Sequence, residues 1–307
     1  MSDGILLRGL DGSNPLAFLA ALGTLRTLSL ALPDESVKMS WEQFEGAWRP
    51  RVFCSLDLSS DGFVATLDDE LGKAQHCAAF TIGDNLNLPA ADFRKHLLDA
   101  VKAPEALGTP AARVNVDFLA AFGSEAIVDK NGAMADSALR TMSGAGHQHF
   151  LKFIREIVVR TDADHLRRAL LMTWDYADEG RGMNLRWDPS DDRRYALRWS
   201  DPSTDPSRTM RGANRLAIEG MPLLPTMPVT GALSTTAFAG KGARDTTFTW
   251  AIWGTPIGLD VVRTLLAGVA NLKGDVESAR HVGVRALFSA ARITTGKFRN
   301  FTPAAPA

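Results

Sequence analysis

Eight arginines and no lysine fall between residues 181 and 215: Arg181, Arg186, Arg193, Arg194, Arg198, Arg208, Arg211 and Arg215. Trp187, Tyr195 and Trp199 are interleaved with them, and Pro189, Pro202 and Pro206 interrupt regular structure. Arginine presents a planar donor fork that matches phosphate oxygens and stacks on aromatic faces or bases. Arginines at this density, with large aromatics among them, have the composition of a nucleic-acid groove. The residues expected to hold phosphate backbone are Arg186, Arg193, Arg194, Arg198, Arg208, Arg211 and Arg215, with Trp187 or Trp199 stacking on a base or wedged beside a step. Asp188, Asp191, Asp192, Asp201 and Asp205 occupy the same stretch and would leave a net of +3 if each paired with an arginine. A loop laced by internal ion pairs is therefore the competing reading.

Two shorter stretches extend the pattern. After Glu277 no acid occurs, while Arg280, Arg285, Arg292, Lys297 and Arg299 supply five positive charges beside Phe298 and Phe301. A basic hairpin of this kind is expected to clamp a phosphate backbone, with Lys297 and Arg299 in contact. The loop SGAGH, from Ser143 to His147, runs into a helix. Free N–H groups and the positive dipole end of such a helix suit a phosphate, with Ser143, Gly144, His147 and Lys152 as the contacts. Asn14 is a further candidate for polar contact in a groove.

Signals for catalysis are sparse. Of six histidines, His147 and His149 are two apart and would share one side of an extended loop, as in a metal site, but no nearby motif supplies a third ligand. His76 and Cys77 are expected to be packed core positions within a helix, and the consecutive Asp68, Asp69 and Glu70 a solvated face. The sequence contains no GxSxG, HExxH, GxxxxGK[ST] or strand-linked GxGxxG. The reading is of a protein that is not an enzyme, with no metal and no cofactor. A metal-dependent enzyme using His147 and His149, and a purely structural assembly subunit, are the alternatives.

These residues must be positioned by a mixture of helices and small antiparallel sheets, an α+β fold of two subdomains. Asn14 as N-cap and Pro15 at the first position start a helix whose Leu, Phe, Ala and Gly content predicts burial on nearly all sides, ended by Pro33. The Val37, Met39, Trp41 alternation predicts a strand paired with Trp48–Leu56. Helices are expected over 63–79 and 89–102, then a loop over Leu107–Asn115 and a short apolar segment at Phe118. A helix follows SGAGH up to residue 160, and another, capped by Asp162, carries Leu166, Leu170, Leu171 and Met172. The run NRLAIEGMPLLPTMP predicts a short helix ended by prolines, Thr246–Trp253 a strand, PIGLDVVRTLL a helix, and the tail a hairpin about Thr295 and Gly296. The boundary is placed after residue 142, giving an acidic region over 1–142 and a basic one over 143–307.

Composition sets the outer bounds. The 307 residues are 45% hydrophobic and 22% charged, which excludes a disordered, collagen-like or coiled-coil chain. No apolar run reaches the roughly 18 residues that a membrane span needs. The opening MSDGILLRGL lacks the features of a signal peptide, and two cysteines make no disulfide framework, so the expected location is cytoplasmic. The net charge of −1 conceals a contrast: residues 1–150 hold 12 Lys and Arg against 19 Asp and Glu, residues 151–307 hold 22 against 16. Two surfaces with different partners are expected.

The order of these blocks resembles a family. LRGLDGSNPLAFLAALGTLRTL, residues 7–28, resembles the leader helix of CRISPR-associated large-subunit-like proteins of type I-U (I-G) systems. DPSDDRRYALRW at 188–199, NRLAIEGMPLLPTMP at 214–228 and FTWAIWGTPIGLDVVRTLL at 248–266 look like their downstream blocks. The resemblance implies a non-nuclease component of an RNA-guided surveillance complex in antiviral defence. Its partners would be crRNA, target DNA near the protospacer-flanking motif, other complex subunits and a recruited helicase-nuclease, with no membrane. Guide pairing would read sequence, while the protein holds backbone and aids R-loop formation.

Overall fold

A computed structural model describes residues 3–108, 110–142, 148–178, 184–191, 209–240, 246–295 and 298–307. The described residues form an α+β fold of helices and small antiparallel sheets.

The fold is organised around one helix. Strand β1 (Ile5–Leu6) leads to α1 (Pro15–Ala31), where the Asn14 side chain accepts from the Leu16 and Ala17 N–H groups at 2.8 and 3.2 Å. Every residue from Pro15 to Leu28 is buried, the apolar residues on all sides of the helix together with Thr24, Arg26 and Thr27. Strands β2 (Lys38–Phe44) and β3 (Ala47–Phe53) form a hairpin whose two turn residues, Glu45 and Gly46, both take positive φ. With β1 they make a sheet in the order β1-β3-β2.

Three helices follow: α2 (Ser60–Lys73), α3 (Ala90–Leu107) and α4 (Val114–Phe122). Helix α2 ends earlier than its periodicity predicts, tightening into a 3-10 turn over Ala74–His76, so His76 is exposed rather than a core position, while Cys77 is buried. Strands β4 (Gly123–Val128) and β5 (Met134–Asp136) form a hairpin that the sequence reading did not predict. Helix α5 (Phe150–Arg160) buries Phe150, Leu151, Ile154, Ile157 and Val158. Helix α6 (Ala163–Leu171) starts at Asp162 as expected but stops before Met172, which is 53% exposed.

Helix α7 (Arg211–Gly220) lies along α1. A Cβ at Gly23 would overlap the Leu216 carbonyl oxygen, and one at Gly220 would sit 2.5 Å from that of Leu19. The two backbones therefore touch, and only glycine fits at the crossing. Next come β6 (Thr226–Val229) and β7 (Ala232–Thr235), a second unforeseen hairpin, then β8 (Phe238–Ala239), β9 (Thr247–Trp253), α8 (Leu259–Gly268) and α9 (Val276–His281). Strands β10 (Val284–Thr295) and β11 (Phe298–Phe301) make the expected tail hairpin, and β12 (Ala305–Pro306) also pairs with β10. The sheet order is β11-β10-β9-β8.

One core joins these parts. Phe18 of α1 meets Trp41, Phe248, Trp250 and Trp253. The indole N–H of Trp250 donates to the Gly12 carbonyl at 2.8 Å and that of Trp253 to the Met39 carbonyl at 2.7 Å, so the polar atoms of these two buried rings are satisfied. Residues before and after position 142 contribute to this one cluster.

Candidate nucleic-acid interface

The two basic stretches singled out in the sequence meet at one place. The Trp187 indole N–H donates to the Leu139 carbonyl at 2.9 Å, and the Thr141 hydroxyl donates to the Leu185 carbonyl at 2.5 Å. From the other side, the Arg292 Nη1 donates to the Ala138 carbonyl at 2.8 Å and the Arg299 Nη1 to that of Arg140 at 3.4 Å. The loop Ala138–Met142 is thus the common seat of the 184–191 segment and the β10–β11 hairpin. Strand β11 also contacts the 3-10 turn Pro189–Asp191.

A single asparagine fixes both flanks of the arginine-rich stretch. Asn214 of α7 accepts from the Leu185 N–H at 3.1 Å and donates to the Thr209 hydroxyl at 2.9 Å and the Met210 carbonyl at 3.1 Å. Buried and fully used, it holds residues 184–185 and 209–210 on one element. Asn14 bonds Asp188 at 3.1 Å while capping α1, so its side chain is occupied in the fold.

The predicted site residues divide into four groups. Arg186 and Arg299 are half-buried at the seat just described. Arg211 lies instead at the α5–α6 end: its N–H donates to Asp178 at 2.6 Å and its Nη1 bonds His165 at 2.8 Å and the Arg160 carbonyl at 3.3 Å. Two others belong to the interior. Trp187 has no solvent exposure, and no base can reach its enclosed ring in this conformation. Arg215 is 1% exposed, pairs with Glu219 at 2.7 Å and donates to the Leu71 carbonyl at 3.2 Å. The composition of the stretch drew both toward the groove, whereas an apolar helix with Arg and Glu four residues apart was the signal for a buried pair. Arg193, Arg194, Arg198, Trp199, Arg208 and Lys297 lie outside the described residues.

The phosphate reading of the α5 start fares differently. The Phe150 N–H donates to Asn85 Oδ1 at 2.8 Å, and those of Leu151 and Lys152 to the Asp84 carbonyl at 3.0 and 3.2 Å. The donors that an anion would use are already taken by the chain itself. Asn85 Nδ2 also bonds His149 Nδ1 at 2.9 Å, and Lys152 is exposed. Ser143, Gly144 and His147 lie outside the described residues, and among those described no three His, Cys, Asp or Glu side chains come together as a metal site.

The segments that meet at the seat are rich in arginine. Arg140, Arg186, Arg292 and Arg299 are gathered there, with Asp136 bonded to Arg140. Arg292 is 8% exposed and bonds no carboxylate among the described residues. Burial first, then the positive charge of Arg299, pulls its pKa down to about 10, partly offset by Asp136, so it stays cationic at neutral pH. Sequence reasoning counted Arg292 among the tail charges without singling it out as a site.

No protein-family model matches the chain, and no curated protein matches it. No helix among the described residues is long and apolar enough to cross a membrane.

Proposed function

We propose that this chain is a nucleic-acid-binding, large-subunit-like component of a CRISPR RNA-guided surveillance complex, contacting crRNA and target DNA near the protospacer-flanking motif. The observation that carries the reading is the shared seat at Ala138–Met142, where the flank of the arginine-rich stretch and the basic C-terminal hairpin are hydrogen-bonded together. The two segments and the loop that seats them bring four arginines to one place, Arg186 and Arg299 half-buried and Arg140 and Arg292 buried, with Asp136 bonded to Arg140. The order of the sequence blocks that resemble type I-U proteins supports the same reading.

In this role the protein holds sugar-phosphate backbone and leaves sequence discrimination to guide pairing. The net charge of −1 bounds non-specific affinity of the isolated chain, so binding is expected to be strongest inside the assembly, where the acidic residues of 1–142 face protein partners. The test is fluorescence anisotropy with labelled duplex DNA and with crRNA-loaded complex across a salt series. Affinity that falls linearly in a log–log plot supports the proposal. Absence of binding at low salt, both alone and in complex, overturns it.

A further inference from the structure

A cleft of about 650 Å³ opens beside this seat, between the β6–β7 hairpin, β8 and the face of β10. Arg292 lies at its floor with Asp136, Thr235 and Thr246; Val229, Leu233 and Phe238 form apolar walls. The Arg292 side chain is more than nine-tenths buried, yet its donors are under-used. Nη1 has the Ala138 carbonyl at 2.8 Å, Nη2 reaches Thr246 Oγ1 only at 3.5 Å, and the buried Nε has no acceptor. Thr235 Oγ1 accepts the Ala138 N–H at 3.0 Å, which leaves its own proton to donate, and Ser234 adds a second hydroxyl to the lining.

A buried guanidinium without a bonded carboxylate is costly unless an anion completes it. Asp136, the acid in the cleft, is committed to Arg140, and Arg299 adds a further positive charge nearby. Guanidinium and hydroxyl donors converging on a concave site suit a tetrahedral oxyanion, because each supplies an N–H or O–H where a phosphate presents oxygen. The apolar walls are shaped for a sugar or base beside that group. The geometry points to a phosphate-binding site centred on Arg292, taking one backbone phosphate of a bound nucleic acid. The source of the phosphate rests on the function proposed above; the site itself rests on Arg292 and the cleft.

The test uses the full chain and two probes, inorganic phosphate by calorimetric titration and a labelled single-stranded oligonucleotide by anisotropy. Two variants are compared with the wild type: Arg292→Gln, which removes the charge, and Ala239→Glu, which places a carboxylate at the exposed rim without touching the core. Both are expected to weaken phosphate and oligonucleotide binding by about tenfold, Arg292→Gln through loss of a hydrogen bond from a charged group and Ala239→Glu through repulsion of the anion by a like charge. The log–log salt slope for the oligonucleotide should shrink by about one phosphate contact. If Arg292→Gln does not fold, Ala239→Glu decides. Wild-type affinities for both probes in the folded variants overturn the site. Oligonucleotide binding that ignores both variants also overturns it and leaves the proposed function standing. Phosphate binding that depends on Arg292, with no nucleic-acid binding either by the chain alone or in the crRNA-loaded complex, supports the site and overturns the proposed function.

Discussion

Arg26 Nη1 donates to Glu219 Oε2 at 2.6 Å across 193 residues, both side chains being almost wholly buried. Glu219 also receives Arg215 at 2.7 Å, so one carboxylate holds two guanidiniums at the α1–α7 contact. The Arg26 guanidinium lies 5.4 Å over the Phe118 ring, and Asp117 stands 4.0 Å away as a second, weaker counter-charge.

Removing the carboxylate leaves two cations in a low-dielectric interior. Glu219→Ala is expected to cost on the order of 3–5 kcal/mol in chemical denaturation. Replacing Arg26, Arg215 and Glu219 together by Met and Leu should cost far less. A single variant as stable as the wild type would contradict this account.

The backbone contact at Gly23 gives a steric prediction. Gly23→Ala drives a methyl group into the Leu216 carbonyl, which α7 cannot yield without tilting away from α1. The expected loss is about 1–3 kcal/mol or more, as for overpacked cores. Gly46→Ala meets no neighbouring atom and is strained only by its positive φ, so its midpoint in urea should shift less.

Trp187 separates a structural from a recognition role. Trp187→Phe removes the donor to the Leu139 carbonyl and should cost about 1–3 kcal/mol. Nucleic-acid affinity measured well below the melting temperature should not change. A ring stacked on a base would instead lose about 1–3 kcal/mol of binding.

The cysteines give a pH signature. Burial raises the Cys77 thiol from its ordinary 9.0 to about 12, while its Sγ bonds Asn115 at 3.1 Å. A folded-state pKa above the unfolded one means that the folded form keeps its proton longer. The associated stability is whole below about pH 9 and is lost as pH rises toward 12. Wild type should therefore lose stability relative to Cys77→Ala across that window in urea titrations. Thiol labelling at pH 8 should modify Cys54 first and Cys77 only on unfolding.

Helix α1, the β2–β3 pair and the tail hairpin were legible because local signals decided them: a cap with Pro15, alternating apolar residues, and Gly296 between two strand-like runs. The two unforeseen hairpins were not. In β6, Pro228 read as a break, yet it pairs opposite Leu233 in a two-stranded ribbon, where proline is tolerated at an edge. The turn between β4 and β5 depends on Asp129 Oδ1 accepting from the Asn131 and Ala133 N–H groups, a local bond that composition does not reveal. For the candidate site, charge pointed to the right two stretches but could not sort them. Arg215 and Trp187 went inward because partners far along the chain, in α2 and the 138–142 loop, complete them.

The burial of α1 on every side also sets a demand on synthesis. Its partners in α7 leave the ribosome about 10–40 s after it at ~5–20 residues per second. For that interval β2 and α2 can cover part of α1, while the side that meets α7 stays uncovered. Closure of the α1–α7 contact is therefore a late event in synthesis, set by chain length and not by the strength of the contact.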